Sequence, residues 1–499
     1  MTDTPAEEPD RSPEEELVEP RPVGVPGPLK DDLHGLPTHL YPDRLYGGPA
    51  LPDRPVRGVR TTWSRGRLHA PLGLRRPALP LQRVPVRAFV GPGGTGKTLR
   101  ALDESHTGGH NWDPYLWSYR TISWVSARDG ASLESGLLKA LERLRPRGGT
   151  PAPRRTAGTP EDRVLRALHA LESPWLLILD GLDDPDLLRR AQAPDGILRQ
   201  RMPRGPWPSV GEIVVTSRIA ARTAWGPWVS LAGTGPWHRG AAIELLRAHT
   251  GAATGQHTEL AALADRVGYL PLALRLAGRH LHVLTATTGT APGDAAAGLA
   301  GALDGARGRG AVPALCGLNL GLLADRGVRH ARPVLALLCL FAAEPVPAAL
   351  LTSAAAAGLR TPDGPPIAEE DLARTVTALR EIGLVHGKAL LTVDPLVREA
   401  MRAELDDEPE TAPALGAVLV DLLDRTVHAL DPDDPAHTPW WPALAPHLNA
   451  ARTLPGTADP HRDARLTAAA QVLAAGLRRH GHTRSARLVH PGTVHGTGS

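Results

Sequence analysis

Gly91-Pro92-Gly93-Gly94-Thr95-Gly96-Lys97-Thr98 is the stretch whose reading decides the fold. It satisfies G-x-x-x-x-G-K-[ST] and lies between an apolar run over 84–90 and a helical stretch over 97–105. The chemistry of such a loop belongs to the backbone. Glycines let the chain wrap phosphates with its N–H groups, and the helix N-terminus that follows adds positive potential. Gly91, Gly93, Gly94, Thr95 and Gly96 form that wrap, Lys97 reaches for the β- and γ-phosphates, and the Thr98 hydroxyl is placed for Mg²⁺. Among the 56 basic residues only Lys30, Lys97, Lys139 and Lys388 are lysine. In a chain so poor in lysine, this spacing arises by chance roughly 0.004 times.

Working outward, 121–126 and 212–216 read as strands and 133–144 as a helix. Residues 175–179 (Trp-Leu-Leu-Ile-Leu) are continuously apolar and end in Asp180, the mark of an interior parallel strand buried on both faces. Strands alternating with helices predict a parallel sheet. Asp180 then stands at the carboxyl edge of that sheet, where a carboxylate holds Mg²⁺ through water, and Asp183 or Asp184 orients the attacking water. Val214-Val215-Thr216-Ser217-Arg218 is a strand that ends in hydroxyls and an arginine, suited to sensing a γ-phosphate. Gly268-Tyr269-Leu270-Pro271 opens a helix with proline at its first position. Residues from about 236 to 300 read as helices, most clearly over 241–250, 259–267 and 272–284. Helices over 329–343, 347–357 and 369–382, strand-like pieces over 384–386 and 390–393 and a helix over 395–405 give a winged-helix pattern. Residues 411–490 return to helices.

The phosphate loop, the Leu-Leu-Ile-Leu-Asp strand, the Thr-Ser-Arg ending, the Gly-x-x-Pro-Leu-Ala helix and the winged-helix pattern, in this order over 84–405, resemble the NB-ARC type of STAND signal-transduction ATPases, with a tetratricopeptide-linked tail. The resemblance implies ATP/ADP and Mg²⁺ as ligands, Lys97, Asp180, Asp183, Asp184 and Arg218 as the catalytic set, Thr98 and Asp180 at the metal, and Pro271 on the adenine side. The chain departs from the family at Leu99 (a second Thr there), at Gly181 (a second acid) and at Asp394 (a His that touches the ADP phosphate). Leu45-Tyr46-Gly47-Gly48 stands where a hydrophobic-Gly-Arg motif is usual. A carboxylate at 394 repels a diphosphate unless a cation intervenes. No Asn/Thr-Lys-x-Asp loop is present to read guanine, so ATP is favoured.

The domains expected are a disordered head over 1–80, a phosphate-loop nucleotide-binding domain over 81–235, a helical domain over 236–305, a winged-helix domain over 306–408 and a helical linker with a partial tetratricopeptide-like repeat over 409–499. The fold class is thus an α/β P-loop NTPase domain followed by helical and winged-helix domains. The net charge of +3, built on scattered arginines, reads as background. The acids Glu369, Glu370, Asp371 and Glu381 on the third helix of the winged-helix pattern argue against DNA binding. Two cysteines make no disulfide framework. An acidic N-terminus and the lack of a long apolar run point to a cytoplasmic protein without membrane contact. The function expected is an ATP/ADP switch in signal transduction with slow hydrolysis and nucleotide-controlled self-association or partner binding. The alternatives are a constitutive ATPase that remodels a substrate, or a nucleotide-binding scaffold without hydrolysis.

Overall fold

The computed structural model describes residues 84–101, 121–144, 158–171, 175–199, 211–251, 257–303, 305–351, 359, 367–408, 410–454 and 460–489. The expected head, the segment 45–48, the tail 491–499 and the distal parts of the helices expected over 97–105 and 347–357 lie outside them. Strands β1 (Val86–Val90), β2 (Thr121–Ser126), β3 (Trp175–Asp180), β4 (Gly211–Ser217) and β5 (Val229–Gly233) form one parallel sheet in the order β2-β3-β4-β1-β5. The chain leaves β1 through the glycine loop and resumes in β2 beyond β3 and β4. The carboxyl end of β1 therefore lies where the chain path divides, the usual ligand crevice of an open α/β sheet.

Every residue of β3 is buried. Leu176 and Ile178 meet Phe89, Val214 and Ala101 on one face, while Leu177 and Leu179 join Ala88, Ile213 and Val215 on the other. Two covered faces explain the unbroken apolar run. The second face carries α1 (Gly130–Arg143), α2 (Pro160–His169) and α3 (Pro185–Ala191). Helix α2 was not expected, although Thr159 and Asp162 announce it. Each side chain accepts the other's backbone N–H at 3.2 Å, a reciprocal cap. Strand β5, also unexpected, is a short edge strand with only Val229 fully buried.

After the sheet come α4 (Arg239–Thr250), α5 (His257–Arg266), α6 (Pro271–Thr288), α7 (Pro292–Ala302), α8 (Ala311–Asp325), α9 (Ala331–Leu340), α10 (Glu369–Glu381), α11 (Pro395–Asp406), α12 (Thr411–His428), α13 (Trp440–Arg452), α14 (Pro460–Arg479) and α15 (Thr483–Val489). They share one hydrophobic core that runs from Ala242 to Val489. Helix α7 lies in the stretch expected to be helical without being singled out, and α8 was not expected, because Ala, Gly and Leu surround both without a polar stripe to give a period. The hairpin expected between 384–386 and 390–393 is reduced to one bridge, His386 with Thr392. Strand β7 (Leu390–Leu391) pairs instead with β6 (Val346–Pro347), antiparallel. A two-residue strand holding a proline gives no period to read, which is why β6 went unseen.

Helices α13 and α15 pack on α1, so the last helices touch the sheet-bearing part. No helix among the described residues is long and apolar enough to cross a membrane. Cys316 and Cys339 are both buried thiols.

Three histidines give this packing a pH dependence. Burial pushes His249 down to about 3, with the Arg279 guanidinium adding to the effect. Burial likewise pushes His447 and His482 down to about 4. Each folded value lies below that of the unfolded side chain, so the unfolded chain takes up the proton first as pH falls. This contribution is complete above about pH 6.5 and is lost as pH falls toward 4. The expected result in denaturant titrations is a midpoint that drops across that window, with proton uptake on unfolding. A midpoint level from pH 7 to 4.5 would contradict it.

Candidate nucleotide-binding site

The loop at the end of β1 is held from two sides. Gly91 N donates to Ser217 O on β4 at 3.2 Å, and Thr234 N, just past β5, donates to Val90 O at 2.7 Å. The Thr95 hydroxyl donates to Pro92 O at 2.8 Å and shares a 2.8 Å hydrogen bond with the Thr234 hydroxyl. The first helical turn closes with Arg100 N on Gly96 O at 2.9 Å. Lys97 Nζ donates to Gly91 O at 2.8 Å and Pro92 O at 2.7 Å, which brings the ammonium back over the loop. Burial lowers its pKa, opposed chiefly by the Asp183 carboxylate.

Thr98 Oγ1 donates to Asp180 Oδ1 at 2.9 Å, and Thr216 Oγ1 donates to the same oxygen at 2.6 Å. Gly181 N donates in turn to Thr216 Oγ1 at 2.8 Å. One carboxylate thus joins the loop helix, β3 and β4. A hydroxyl and a carboxylate side by side at the loop are the hard oxygen set that suits Mg²⁺. Asp183 Oδ1 accepts Arg218 N at 2.6 Å, and its other oxygen lies 3.4 Å from Arg218 Nε. Asp184 caps α3, accepting from Asp186 N at 2.8 Å and Leu187 N at 3.2 Å. Gly181 has φ +80°, and a Cβ there would stand 2.8 Å from Arg128 Cγ. The turn after β3 therefore rejects the acid found in relatives of the resembled family.

Two later elements descend on the loop. Pro271 is the buried first residue of α6, and Leu272 N points at Gly94 O at 3.4 Å. Tyr269, just before it, has φ +56°, a strained backbone for a bulky residue, and its carbonyl accepts Trp237 N at 2.8 Å. From α11 comes Leu396. Gly94 has φ +76°, and a Cβ there would lie 2.8 Å from Leu396 Cδ1 and 3.5 Å from Leu272 Cβ. Glu399 on the same helix accepts Arg218 Nη1 at 2.6 Å, with Arg309 at 3.8 Å on its other oxygen.

Helix α11 owes its position to two arginines. Arg398 Nη1 donates to the carbonyls of Leu338, Cys339 and Phe341 at 3.1, 2.7 and 2.7 Å. Arg402 adds bonds to Cys339 O at 2.9 Å and Phe341 O at 3.3 Å. Cationic donors thereby satisfy the orphan carbonyls at the end of α9. Burial pushes Arg398 down to about 10. Asp394 caps α11 by accepting Leu396 N at 3.0 Å.

The loop residues, Asp180, Asp183, Arg218 and Pro271 are thus brought together, while Asp184 is occupied by its helix. Thr234, Leu272, Leu396 and Glu399 were not foreseen. Leu396 and Glu399 lie in a stretch read for Asp394, and Thr234 follows a strand the period did not reveal.

No protein-family model matches the chain, and no curated protein does. Among solved structures, a signal transduction ATPase with numerous domains carrying a tetratricopeptide repeat sensor, from Pyrococcus horikoshii, overlaps with a TM-score of 0.43 at 13% identity, covering 82% of this chain and 55% of that one. This chain therefore spans about half the length of that protein. The ORC2 protein of Aeropyrum pernix, in ADPNP and ADP complexes, gives a TM-score of 0.33 at 16% identity over 73% of this chain and 99% of its own. The ORC1 protein of the same organism, in complex with DNA, gives 0.28 at 15% identity over 73% and 96%. The comparisons lend no support to the expectation that this chain avoids DNA. The parallel sheet, its strand order and the glycine loop at β1 make the fold an α/β P-loop NTPase fold with a helical C-terminal part.

Asp180→Ala removes the acceptor shared by two hydroxyls. Its unfolding free energy should fall by roughly 1–3 kcal/mol in denaturant titration, and Asp180→Asn, which keeps one acceptor, should lose less.

Proposed function

We propose that the protein is an ATP/ADP-dependent switch of the STAND type that acts in signal transduction. The observation that carries this reading is the contact of α11 with the nucleotide machinery. Leu396 lies against the loop glycines, and Glu399 binds the guanidinium of Arg218. Arg218 is the residue assigned to the γ-phosphate, so a triphosphate and Glu399 compete for one cation. A diphosphate makes no such demand and leaves the pair intact. Nucleotide identity is thus coupled to whether α11, and the helices that follow it, remain docked. A ligand shifts such an equilibrium only by its differential affinity for the two states, and loss of the Arg218–Glu399 pair is such a difference.

The oxygen set fits Mg²⁺, which would be held by Thr98 and, through water, by Asp180. When bound it would supply charge neutralisation between the phosphates. Lys97 turns from the loop carbonyls to the phosphate oxygens. Pro271 bounds the adenine side, and Asp183 is assigned to orient the attacking water. Asp183 is tied to Arg218 in the docked form, which favours slow hydrolysis. We further assign residues 81–235, 236–305 and 306–408 to nucleotide-binding, helical and winged-helix domains, with 409–499 as a helical tail of tetratricopeptide type. The docked face also suits a switch that associates with itself or a partner once α11 is released.

A second reading, a nucleotide-binding scaffold without hydrolysis, is favoured by Gly181 and by the use of Asp184 as a cap. Single-turnover phosphate release separates the two. The switch releases phosphate slowly and Asp183→Asn reduces it, whereas the scaffold releases none.

The chain as purified should liberate ADP or ATP on denaturation, and Lys97→Ala should not. Glu399→Ala should release ADP several-fold faster and associate more readily with ATP, read by fluorescent-nucleotide chase and light scattering. Unchanged release and unchanged mass would remove the docking argument. Fast hydrolysis that rises with a protein substrate would select a remodelling ATPase instead.

A further inference from the structure

Residues 341–345 join α9 to β6 and are held from three sides. Helix α11 takes the Phe341 carbonyl, with Arg398 Nη1 at 2.7 Å and Arg402 Nη2 at 3.3 Å. Helix α13 takes the Pro345 carbonyl, to which His447 Nε2 donates at 3.2 Å, and packs the same imidazole at right angles to the Phe341 ring. The turn between β2 and α1 takes the middle of the segment. Arg128 Nη1 donates to Ala343 O, and Ser126 Oγ donates to Glu344 Oε1 at 2.9 Å. If α11 and α13 leave the sheet-bearing part with this segment attached, the bonds of Ser126 and Arg128 must break.

Glu344 is half-buried at this junction, and its surroundings suit an acid better than an anion. Nη1 of Arg128 is spent on the neighbouring carbonyl of Ala343. Ser132, the second hydroxyl beside Glu344, donates to Asp129 Oδ2 at 2.9 Å, so it turns a lone pair to Glu344 rather than a proton. Only a protonated carboxyl has an O–H to offer that lone pair. Burial is the largest influence on the group and raises its pKa above the ordinary carboxyl value. Asp129, which also accepts Ser132 N at 2.8 Å, acts in the same sense. Arg128 opposes it, as does Arg398 from α11. His447 on α13, pushed down to about 4 by burial, is neutral near pH 7 and serves Pro345 as a donor.

We infer that 341–345 is a proton-operated latch, which holds α11 and α13 to the β2–α1 turn while the Glu344 carboxyl is protonated and lets go of that turn when Glu344 ionises in water. The latch makes no contact with the glycine loop, so it stands whether or not the nucleotide reading does. Released, Glu344 returns to its ordinary value of 4.5. Docking is therefore fully present below that value and weakens as pH rises toward the higher docked one. This sense is opposite to that of His249, His447 and His482, whose contribution to folding grows as pH rises from 4. General stability and the latch thus move in opposite directions with pH.

The test is amide hydrogen exchange of the full chain from about pH 5 to about pH 8, corrected for the intrinsic pH dependence of exchange and read in peptides covering 127–133 and 341–351. In the unaltered chain the protection of both peptides should fall together as pH rises, by up to about ten-fold per pH unit. Glu344→Gln supplies a permanently neutral side chain, with an oxygen for Ser126 and an N–H for Ser132. Its protection should stay high and level with pH. Glu344→Ala should be weakly protected at every pH. A level profile in the unaltered chain overturns the inference with no variant needed. A Glu344→Gln profile that falls as the parent's does overturns it as well, because the titrating group would then lie elsewhere.

Discussion

A loop without side chains is the surface on which the rest of the molecule converges. The glycines after β1 are needed so that backbone N–H groups can enclose phosphate. The same lack of Cβ atoms lets Leu396 of α11 come within contact of Gly93 and Gly94, and lets α6 bring Leu272 to the Gly94 carbonyl. In the proposed reading, binding surface and docking surface are therefore one. Whatever moves the loop, or fills it, acts on both elements at once, and no long chain of coupled residues is required between site and response.

The charges around the loop follow the same economy. Lys97 is lodged on the carbonyls of Gly91 and Pro92, and Arg218 on Asp183 and Glu399. Lys97 and Arg218 are satisfied by the protein, though neither by a buried carboxylate of ideal geometry. In the proposed switch a polyphosphate competes for Lys97 and Arg218, and the exchange at Arg218 frees α11 through Glu399. The ion pair of Arg218 with Glu399 is partly exposed and so modest in itself. It gains effect by sitting on a helix whose base is fixed by Arg398 and Arg402 to the end of α9. A weak contact on a rigid lever is easily exchanged, as a switch requires.

Much of this was legible in residues. β3 declared itself because burial on both faces removes the polar alternation that makes other strands ambiguous, and Asp180 was legible because a carboxylate ends that run. The glycine loop needed only its own spacing. The elements that escaped lacked a period: β5 is a short edge strand, α8 is apolar nearly all round, and β6 is two residues long. Helix α2 could have been found from Thr159 and Asp162, since a reciprocal cap is a local signal. Leu396 and Glu399 could not have been. Their contacts reach across 181 residues (Arg218 to Glu399) and 302 residues (Gly94 to Leu396), and only packing selects which leucine or glutamate of many makes them.

The departures at 181 and 394 then stop looking like simple decay. Gly181 occupies a left-handed turn beside Arg128, whose Nη1 donates to the carbonyl of Ala343 in the segment after α9. Nearby, Ser126 at the end of β2 donates to Glu344 at 2.9 Å, and burial raises the pKa of that carboxyl. An acid at 181 would displace the arginine that helps hold this second docking point. The position trades a carboxylate near the phosphates for a contact that keeps the later helices in place. Asp394 is used to cap α11. In the proposed cycle the turn at Gly181 favours the docked form over rapid chemistry, because it leaves room for the arginine that binds the segment after α9 to the sheet-bearing part.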